Sequence, residues 1–323
     1  EHLERLVEAG LALPELISRA DSDRLGDRKL GWARPWAATP EVREELCGLG
    51  ARWEETPRAL FSKAGHQEFL REVLVSTEHD LLAPVSVCGR PVGSMAEVPE
   101  MLAQGGAGAV VKAAFSTAGR DRILLAPGEG LTKAQQEWIE GHLRQGRDLV
   151  IEPWLDAVLD FSVQYEHRAG RLVRRGFVVM ENSASGRFQS ARVTSKVINE
   201  LAPADRRKVF SGTWRERGFL GWLQDVFEPA LLRLLEAAAH CGPVGVDMMF
   251  YRDRDGALRL KPVVEINPRF TMGRVAVELD RQCGGRGGTT LRILKAGDEG
   301  PAGAIALTPV DEGSRLVAWM ESG

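Results

Sequence analysis

The chain has 323 residues, 44% of them apolar and 27% charged, and a net charge of −3 at neutral pH. That length supports two or three domains with substantial cores and excludes a lone small binding module. The charge balance supplies no basic field for nucleic acid, and no apolar run reaches the roughly 18 residues of a transmembrane helix, so neither nucleic acid nor a membrane is an expected partner.

The four cysteines, Cys47, Cys88, Cys241 and Cys283, are far apart and form no Cys-x-x-Cys pair. Neither a zinc site nor a disulfide framework is signalled, and buried free thiols in a reducing cytoplasm are expected. The N-terminus lacks a signal-peptide pattern. The sequence begins at Glu1 rather than Met, so a short segment is expected to precede it, and a targeting signal would lie there.

In chain order, HLERLVEAGLALPELI reads as an amphipathic helix broken at Pro14, and HQEFLREVL, His66 to Leu74, has the apolar spacing of a helix face. Between them Thr39 and Pro40 form a helix start, with the proline at the first helical position. Pro99 to Gln104 reads as a short helix before the Gly-rich GGAGA. AGAVVKAAFSTAGRDRILLA then reads as strand, small-residue loop and strand, and LTKAQQEWIEGHLRQG as a helix capped by Thr132 and stopped near Gly146. RDLVIEPWL is a strand ending at Pro153, and DFSVQYEHRAGRLVRRGFVVM is a strand pair around Ala169 and Gly170. A long helix, FLGWLQDVFEPALLRLLEAAAHCG, closes at Gly242 and is followed by two apolar strands joined through Asp255 and Gly256.

The second of those strands carries the chemistry. Side chains alternate along a strand, so in VVEINPRF the residues Glu265, Asn267 and Arg269 share one face while Val264 and Ile266 face the other. A loop centred on Gly256 sets Asp247 opposite Glu265. Two adjacent carboxylates in so apolar a run repel one another and lose hydration unless a cation joins them. Oxygen ligands from Asp247, Glu265 and the Asn267 amide suit a hard ion, Mg²⁺ or Mn²⁺, and no His or Cys is near except His240 and Cys241. The bland alternative is a solvated hairpin with Arg269 paired to Glu265. The ordered set, followed by the Pro268 to Gly273 turn, favours the metal.

Lys112 interrupts the apolar strand GAVVKAA and needs an anion or a route to the surface. The loop after it, with Ser116, Thr117, Gly119, Arg120 and Arg122, has the small residues and backbone N–H groups of a phosphate cradle, although such loops are usually only turns. Glu152, Pro153, Trp154 and Leu155 leave a strand in extended form, offering backbone groups to a purine edge and apolar packing to its face. Asp160 is within reach of a ribose hydroxyl in that arrangement, while Trp154 serves equally well as ordinary core.

Taken in order, VVKAAFSTAGR, LVIEPWLD with DFSVQY, GPVGVDMMFY and VVEINPRF resemble the ATP-grasp superfamily over about residues 100 to 290. The resemblance implies an α/β (α+β) ATP-grasp fold, two α+β subdomains gripping ATP, preceded by an N-terminal α/β domain. The divisions are 1–90 for that domain, 91–152 for a lid and 153–323 for the catalytic core. It implies that Lys112 contacts the ATP phosphates and that the loop from Ser116 to Arg120 closes over them. Glu152 to Leu155 would be the adenine hinge, and Asp247, Glu265 and Asn267 would hold one or two Mg²⁺ (or Mn²⁺). Arg269 would stabilise charge on the group in flight. Where the family often has a second glycine after the loop arginine, this chain has Asp121.

The implied activity is that of an ATP-dependent carboxylate–amine ligase working through an acyl phosphate, with ADP and phosphate as products. A small-molecule kinase of the same fold or a non-catalytic ATP-binding protein is the alternative. Small-molecule carboxylate and amine substrates are the implied partners, with Arg187, Arg192, Lys196 and Arg274 as substrate-binding candidates and a homodimer by analogy alone. Nothing resembles a biotin carboxylase or a carbamoyl-phosphate synthetase over its full length, which speaks against bicarbonate as the acid.

Overall fold

A computed structural model of the chain describes residues 2–15, 17, 25, 28, 30–36, 39–53, 55–77, 79–99, 102, 108–116, 121–128, 130–183, 188–211, 218–311 and 313–323. Two antiparallel sheets organise it. Strands β1 (Arg90–Val92), β2 (Ala109–Ala113), β3 (Arg122–Leu125) and β4 (Leu149–Pro153) form a four-stranded sheet in the order β1-β4-β2-β3. The larger sheet has eight strands: β5 (Asp156–Arg168), β6 (Arg171–Asn182), β7 (Phe188–Thr194), β8 (Gly242–Arg252), β9 (Leu258–Asn267), β10 (Thr290–Lys295), β11 (Ile305–Ala306) and β12 (Leu316–Glu321). Their order is β11-β12-β10-β7-β6-β5-β8-β9.

The two-residue period of a strand decides what each face of the large sheet does. Along β5, Phe161, Val163 and Tyr165 enter the main core, whereas Ser162, Gln164 and Glu166 are buried on the opposite face. The core face is covered by the helix Lys63–Val75 and by the segment Gly218–Ala237, whose helical ends flank a π-helical turn at Leu223–Phe227. The helix Met272–Gln282 covers the opposite face over β6, β7 and β10 and reaches the edge of β5 at Gln164 and Glu166. Polar side chains of β5, β8 and β9 are thereby left facing a cleft. Close approach of that helix depends on Gly273, where an added Cβ would stand 2.9 Å from both Gln164 Nε2 and Val178 Cγ2. The small sheet has its own core, Val111, Ile139, Leu149 and Ile151 among others, closed by the helix Lys133–Arg144 with its Thr132–Gln135 capping box.

Several elements differ from their sequence reading. The first helix spans only His2–Glu8, because Gly10 at φ 82° ends it with a left-handed turn before Pro14 is reached. The described residues before Arg90 hold helices and no strand; Lys63–Val75 packs into the core of the large sheet, and Leu81 to Ala83 bond along the β9 edge through Leu260. The long helix ends at Ala237, with Ala239 at φ 49°, and Gly242 instead opens β8. Residues after Phe270 are a helix, not an extended turn, because the Thr271 hydroxyl caps it by accepting from Arg274 N. Of the four free cysteines only Cys88 is buried; Cys47 and Cys283 are exposed and Cys241 is intermediate. The reading of Pro99 to Gln104 falls mostly outside the described residues. Among the described residues no helix is long and apolar enough to cross a membrane.

Leu70 is fully buried where Lys63–Val75 meets the main core. Leu70→Ala is expected to lower stability by about 2–5 kcal/mol in urea unfolding, within a transition shared by the large sheet. A variant that loses less than about 1 kcal/mol would show that the helix is only loosely attached.

Candidate active site

Asp247 on β8 pairs with Glu265 on β9, as a loop centred on Gly256 requires, but the strands reach that register by another route. Near the turn the pairs run from Arg252 with Leu258 to Met249 with Lys261, a register centred on Asp255. A bulge between Asp247 and Met249 then shifts it, at a point where Pro262 brings no N–H to the ladder. At the turn, Asp253 Oδ1 accepts from Asp255 N and Ala257 N at 3.1 and 2.8 Å, and Gly256 takes φ 74°.

The two opposed carboxylates do not share one environment. Burial, and then repulsion from Glu265, raise the Asp247 carboxyl to about 7, against a lowering contribution from the Ser162 hydroxyl. Burial also acts to raise Glu265, but the Lys63 ammonium 2.6 Å from its Oε1 outweighs it and holds Glu265 below the ordinary carboxylate range. Asn267 Nδ2 donates to Asp247 Oδ2 at 3.1 Å, and Arg269 Nη2 donates to Asn267 Oδ1 at 3.1 Å. The chain of contacts therefore runs from Arg269 through Asn267 to Asp247, and Arg269 does not pair with Glu265 as the solvated-hairpin alternative required. The two opposed carboxylates are a donor set that fits a hard divalent cation; the Asn267 amide turns its nitrogen to Asp247 and its oxygen to Arg269, so it would have to flip to add a third oxygen. Among the described residues no group of three or more His, Cys, Asp and Glu side chains is arranged for a metal.

A second charged cluster lies on the other wall. Lys112 Nζ is 2.6 Å from Glu152 Oε1, and Lys261 Nζ is 2.7 Å from Glu152 Oε2. Burial disfavours the Glu152 carboxylate, yet the two ammonium groups more than offset this and bring it down to about 2. Glu152 and Lys261 are only 3% and 2% exposed, so the triad is a largely buried network that ties the small sheet to β9.

These groups line one cleft of about 1900 Å³ between the two sheets. Lys112, Ser116, Arg122, Glu152, Pro153, Trp154, Leu155 and Asp160 line it together with Asp247, Glu265, Asn267 and Arg269. Trp154 is 39% exposed, with the Arg122 guanidinium 5.7 Å from its ring centre, and its backbone N–H donates to Gly108 O. Asp160 accepts from Asn182 Nδ2 at 3.3 Å, and burial raises its carboxyl. Asp121, standing where a glycine is common in the resembled pattern, takes φ 47°, a backbone conformation that glycine adopts most readily. Thr117, Gly119, Arg120 and Arg187 lie outside the described residues.

Three candidates are not brought to the cleft. Arg192 makes a two-pronged pair with Glu200 at 3.2 and 2.6 Å, and Lys196 is exposed beside it. Arg274 is 7% exposed and bonds Glu278, Glu166 and Tyr165 O. The helix that begins at Met272 turns Arg274 back under the sheet, which an extended turn would not have done.

Two lysines were missed. Lys261 interrupts its apolar strand as Lys112 does, so the same rule applied to LRLKPVV would have found it. Lys63 donates to Ser116 O at 2.7 Å as well as to Glu265, and its backbone N bonds Ala114 O. Its trace in the sequence is faint: a cation in the first turn of a helix, against the helix dipole. The segment before it supplies a further wall that sequence reasoning did not anticipate, with Trp36 stacked on Phe270 at 6.4 Å.

No family model matches the sequence, and no curated protein matches it. Solved structures do. N5-carboxyaminoimidazole synthetase from Staphylococcus aureus, complexed with ADP, aligns over 97% of this chain and 81% of its own, at TM-score 0.54 and 12% identity. N5-carboxyaminoimidazole ribonucleotide synthetase from Thermus thermophilus aligns over 96% and 82%, at TM-score 0.53 and 16% identity. The biotin carboxylase domain of Hydrogenobacter thermophilus 2-oxoglutarate carboxylase, in complex with MgADP, ADP and bicarbonate, aligns over 87% of this chain and 66% of its own, at TM-score 0.52 and 11% identity. The chain has the ATP-grasp fold. The likeness extends well beyond the residues 100 to 290 that carried the sequence resemblance.

Two predictions follow from the charges. Asp247 is protonated in the folded protein up to about pH 7 but only to its ordinary 3.8 when unfolded, so its contribution to stability declines as pH rises between those values. Without divalent cations, Asp247→Asn should therefore gain on the order of 1–3 kcal/mol in urea unfolding at about pH 8 and little at about pH 4. Equal effects at both pH values would show that Asp247 titrates normally. Glu152→Gln leaves the buried Lys261 ammonium and the partly buried Lys112 ammonium without their carboxylate and should destabilise by about 3–5 kcal/mol in the same assay.

Proposed function

We propose that the protein is an ATP-dependent carboxylate–amine ligase that forms an amide or peptide bond through an acyl phosphate. The observation that carries this reading is the opposition of Asp247 and Glu265, with Asn267 and Arg269 beside them, in the same cleft as Lys112. Neighbours of the same fold complexed with ADP or MgADP support ATP as the phosphoryl donor and Mg²⁺ as its companion.

In this reading the adenine lies against Trp154 and Leu155, the ribose near Asp160, and the phosphates extend from Lys112 toward the hairpin. Residues 91–152 act as the lid and 153–323 as the core. Asp247, Glu265 and Asn267 hold one or two divalent ions, which when bound would offset phosphate charge. Lys63 then exchanges its bond to Glu265 for a place among the phosphates or remains as a tether to Ser116. A substrate carboxylate oxygen attacks the γ-phosphorus as the bond to the ADP oxygen breaks, with Lys112 and Arg269 stabilising the spread negative charge. An amine then attacks the acyl carbon and phosphate departs, the amine losing a proton. Closure of the cleft excludes the water that would hydrolyse the acyl phosphate. A neighbour of the same fold is complexed with bicarbonate, which is reason to include that anion among the acids tested.

The test is ADP and phosphate release from Mg-ATP across amino acids, carboxylic acids and bicarbonate, with hydroxylamine as trap. Acid-dependent ADP release with hydroxamate from an organic acid, reduced about 100-fold or more in Glu265→Ala, is expected. A phosphorylated alcohol without amide would mark a small-molecule kinase, and ATP affinity without turnover on any acid would mark a binding protein; either outcome overturns the ligase reading.

A further inference from the structure

The cleft face of β5 continues past the catalytic carboxylates into a second cavity of about 700 Å³, which shares Arg34, Arg168 and Ala169 with the cleft. Its other walls include Arg171, Arg175 and Arg274, so five arginines and one carboxylate, Glu166, line it, with Arg168 and Arg171 exposed at its mouth. Strand geometry explains how they gather. Arg168 and Arg171 are directly opposed across the two-residue turn of Ala169 and Gly170. Glu166 is opposed to Val173 on the same face, and the bulge between Gln164 and Tyr165 leaves Arg175 over from the ladder.

Like charges directly opposed on a hairpin destabilise it, and nothing in the strand pattern requires them there. The available acids do not balance the cluster. Glu166, 6% exposed, is shared by Arg34 and by Arg274 at 2.9 Å, and Glu278 is shared by Arg274 and Arg281. Arg281 adds another cation, donating to Arg175 O, while Glu236 stands beside Gly170 at the turn. Among the described residues, Arg168, Arg171 and Arg175 have no carboxylate partner, and Arg175 Nε is buried without a hydrogen-bond acceptor. Guanidinium groups so collected bind planar or tetrahedral oxyanions through paired N–H donors.

We infer that this arginine pocket binds the anionic far end of a substrate, a carboxylate or phosphate group, whose reactive end lies at the Asp247–Glu265 hairpin. Ser162 is paired with Asp247, and Glu166 and Arg168 follow it by four and six residues on the same strand. At about 3.4 Å per residue the two ends of the substrate are about 14–20 Å apart. The substrate is therefore elongated, with room along Gln164 and the Trp36–Phe270 stack between its ends. The inference rests on the ligase reading only for which end reacts; the anion site stands on the arginines alone.

Calorimetric titration of inorganic phosphate and of glutarate, with Mg²⁺ and a non-hydrolysable ATP analogue saturating the nucleotide end, tests it. At least one probe should bind the wild type, and the Arg171→Ala/Arg175→Ala variant should bind it ten-fold or more weakly while keeping its analogue affinity. Preference for phosphate marks a phosphorylated substrate, and preference for glutarate a polycarboxylate. Arg168→Gln, on the opposite strand, should repeat the loss and serves if the double variant fails to fold. Neither probe binding at about 10 mM, or equal binding by wild type and variants, overturns the site. Probe binding by a protein that does not bind the analogue would sink the ligase reading and leave the anion site intact.

Discussion

Two acids set side by side inside a hairpin impose a condition on everything around them. Asp247 and Glu265 cannot both hold a full charge at low hydration unless positive charge reaches them. The fold supplies that charge from far along the chain. Lys63 comes from the start of the helix Lys63–Val75, Arg269 acts through Asn267, and the remaining deficit shows as an Asp247 carboxyl raised to about 7. The asymmetry matters: one acid is ion-paired and the other stays receptive to a proton or a cation.

The same requirement shapes the opposite wall. Glu152 is balanced by Lys112 from its own sheet and by Lys261 from β9, so a network of two buried charges and one partly buried one joins the two sheets. Lys63 makes a second junction, reaching Ser116 O and Glu265 together. Both junctions cross the cleft, and both use groups that would meet phosphate oxygens in the proposed reaction. Binding of a nucleotide would thus compete with contacts that hold the sheets together, a direct physical link between occupancy and closure.

Along β5 the cleft face changes character in a regular way. Asp160, Ser162 and Gln164 are acceptors or neutral polar groups, Glu166 is an acid already shared by two arginines, and Arg168 leads into the cationic pocket. The strand is a ruler with alternate residues as marks, and its two ends have opposite electrostatic demands. Arg274 belongs to this gradient and not to the γ-phosphate neighbourhood, because the Thr271 cap starts a helix that turns it toward Glu166.

The sequence by itself determined β2 to β6, β8 and β9, the helix starts at Thr39 and Thr132, and the face shared by Glu265, Asn267 and Arg269, because these follow from period and from local capping chemistry, whereas β1, β7 and β10 to β12 were not read from it. It also marked Lys112 and the strand that ends at Pro153, since a charge in an apolar run and a proline at a strand end are local signals. What it left undecided depended on distance in space. Lys63 meets Glu265 across 202 residues, and no local pattern encodes that contact. The bulge near Pro262 made a correct pairing arise from a different register, and the folded helix after Phe270 redirected Arg274. The arginine pocket likewise formed only when a turn, a bulge and two remote segments converged. Periodicity governs which face a side chain takes; tertiary packing alone decides which charges meet there, because the electrostatic cost of each buried group depends on partners that the chain brings from elsewhere.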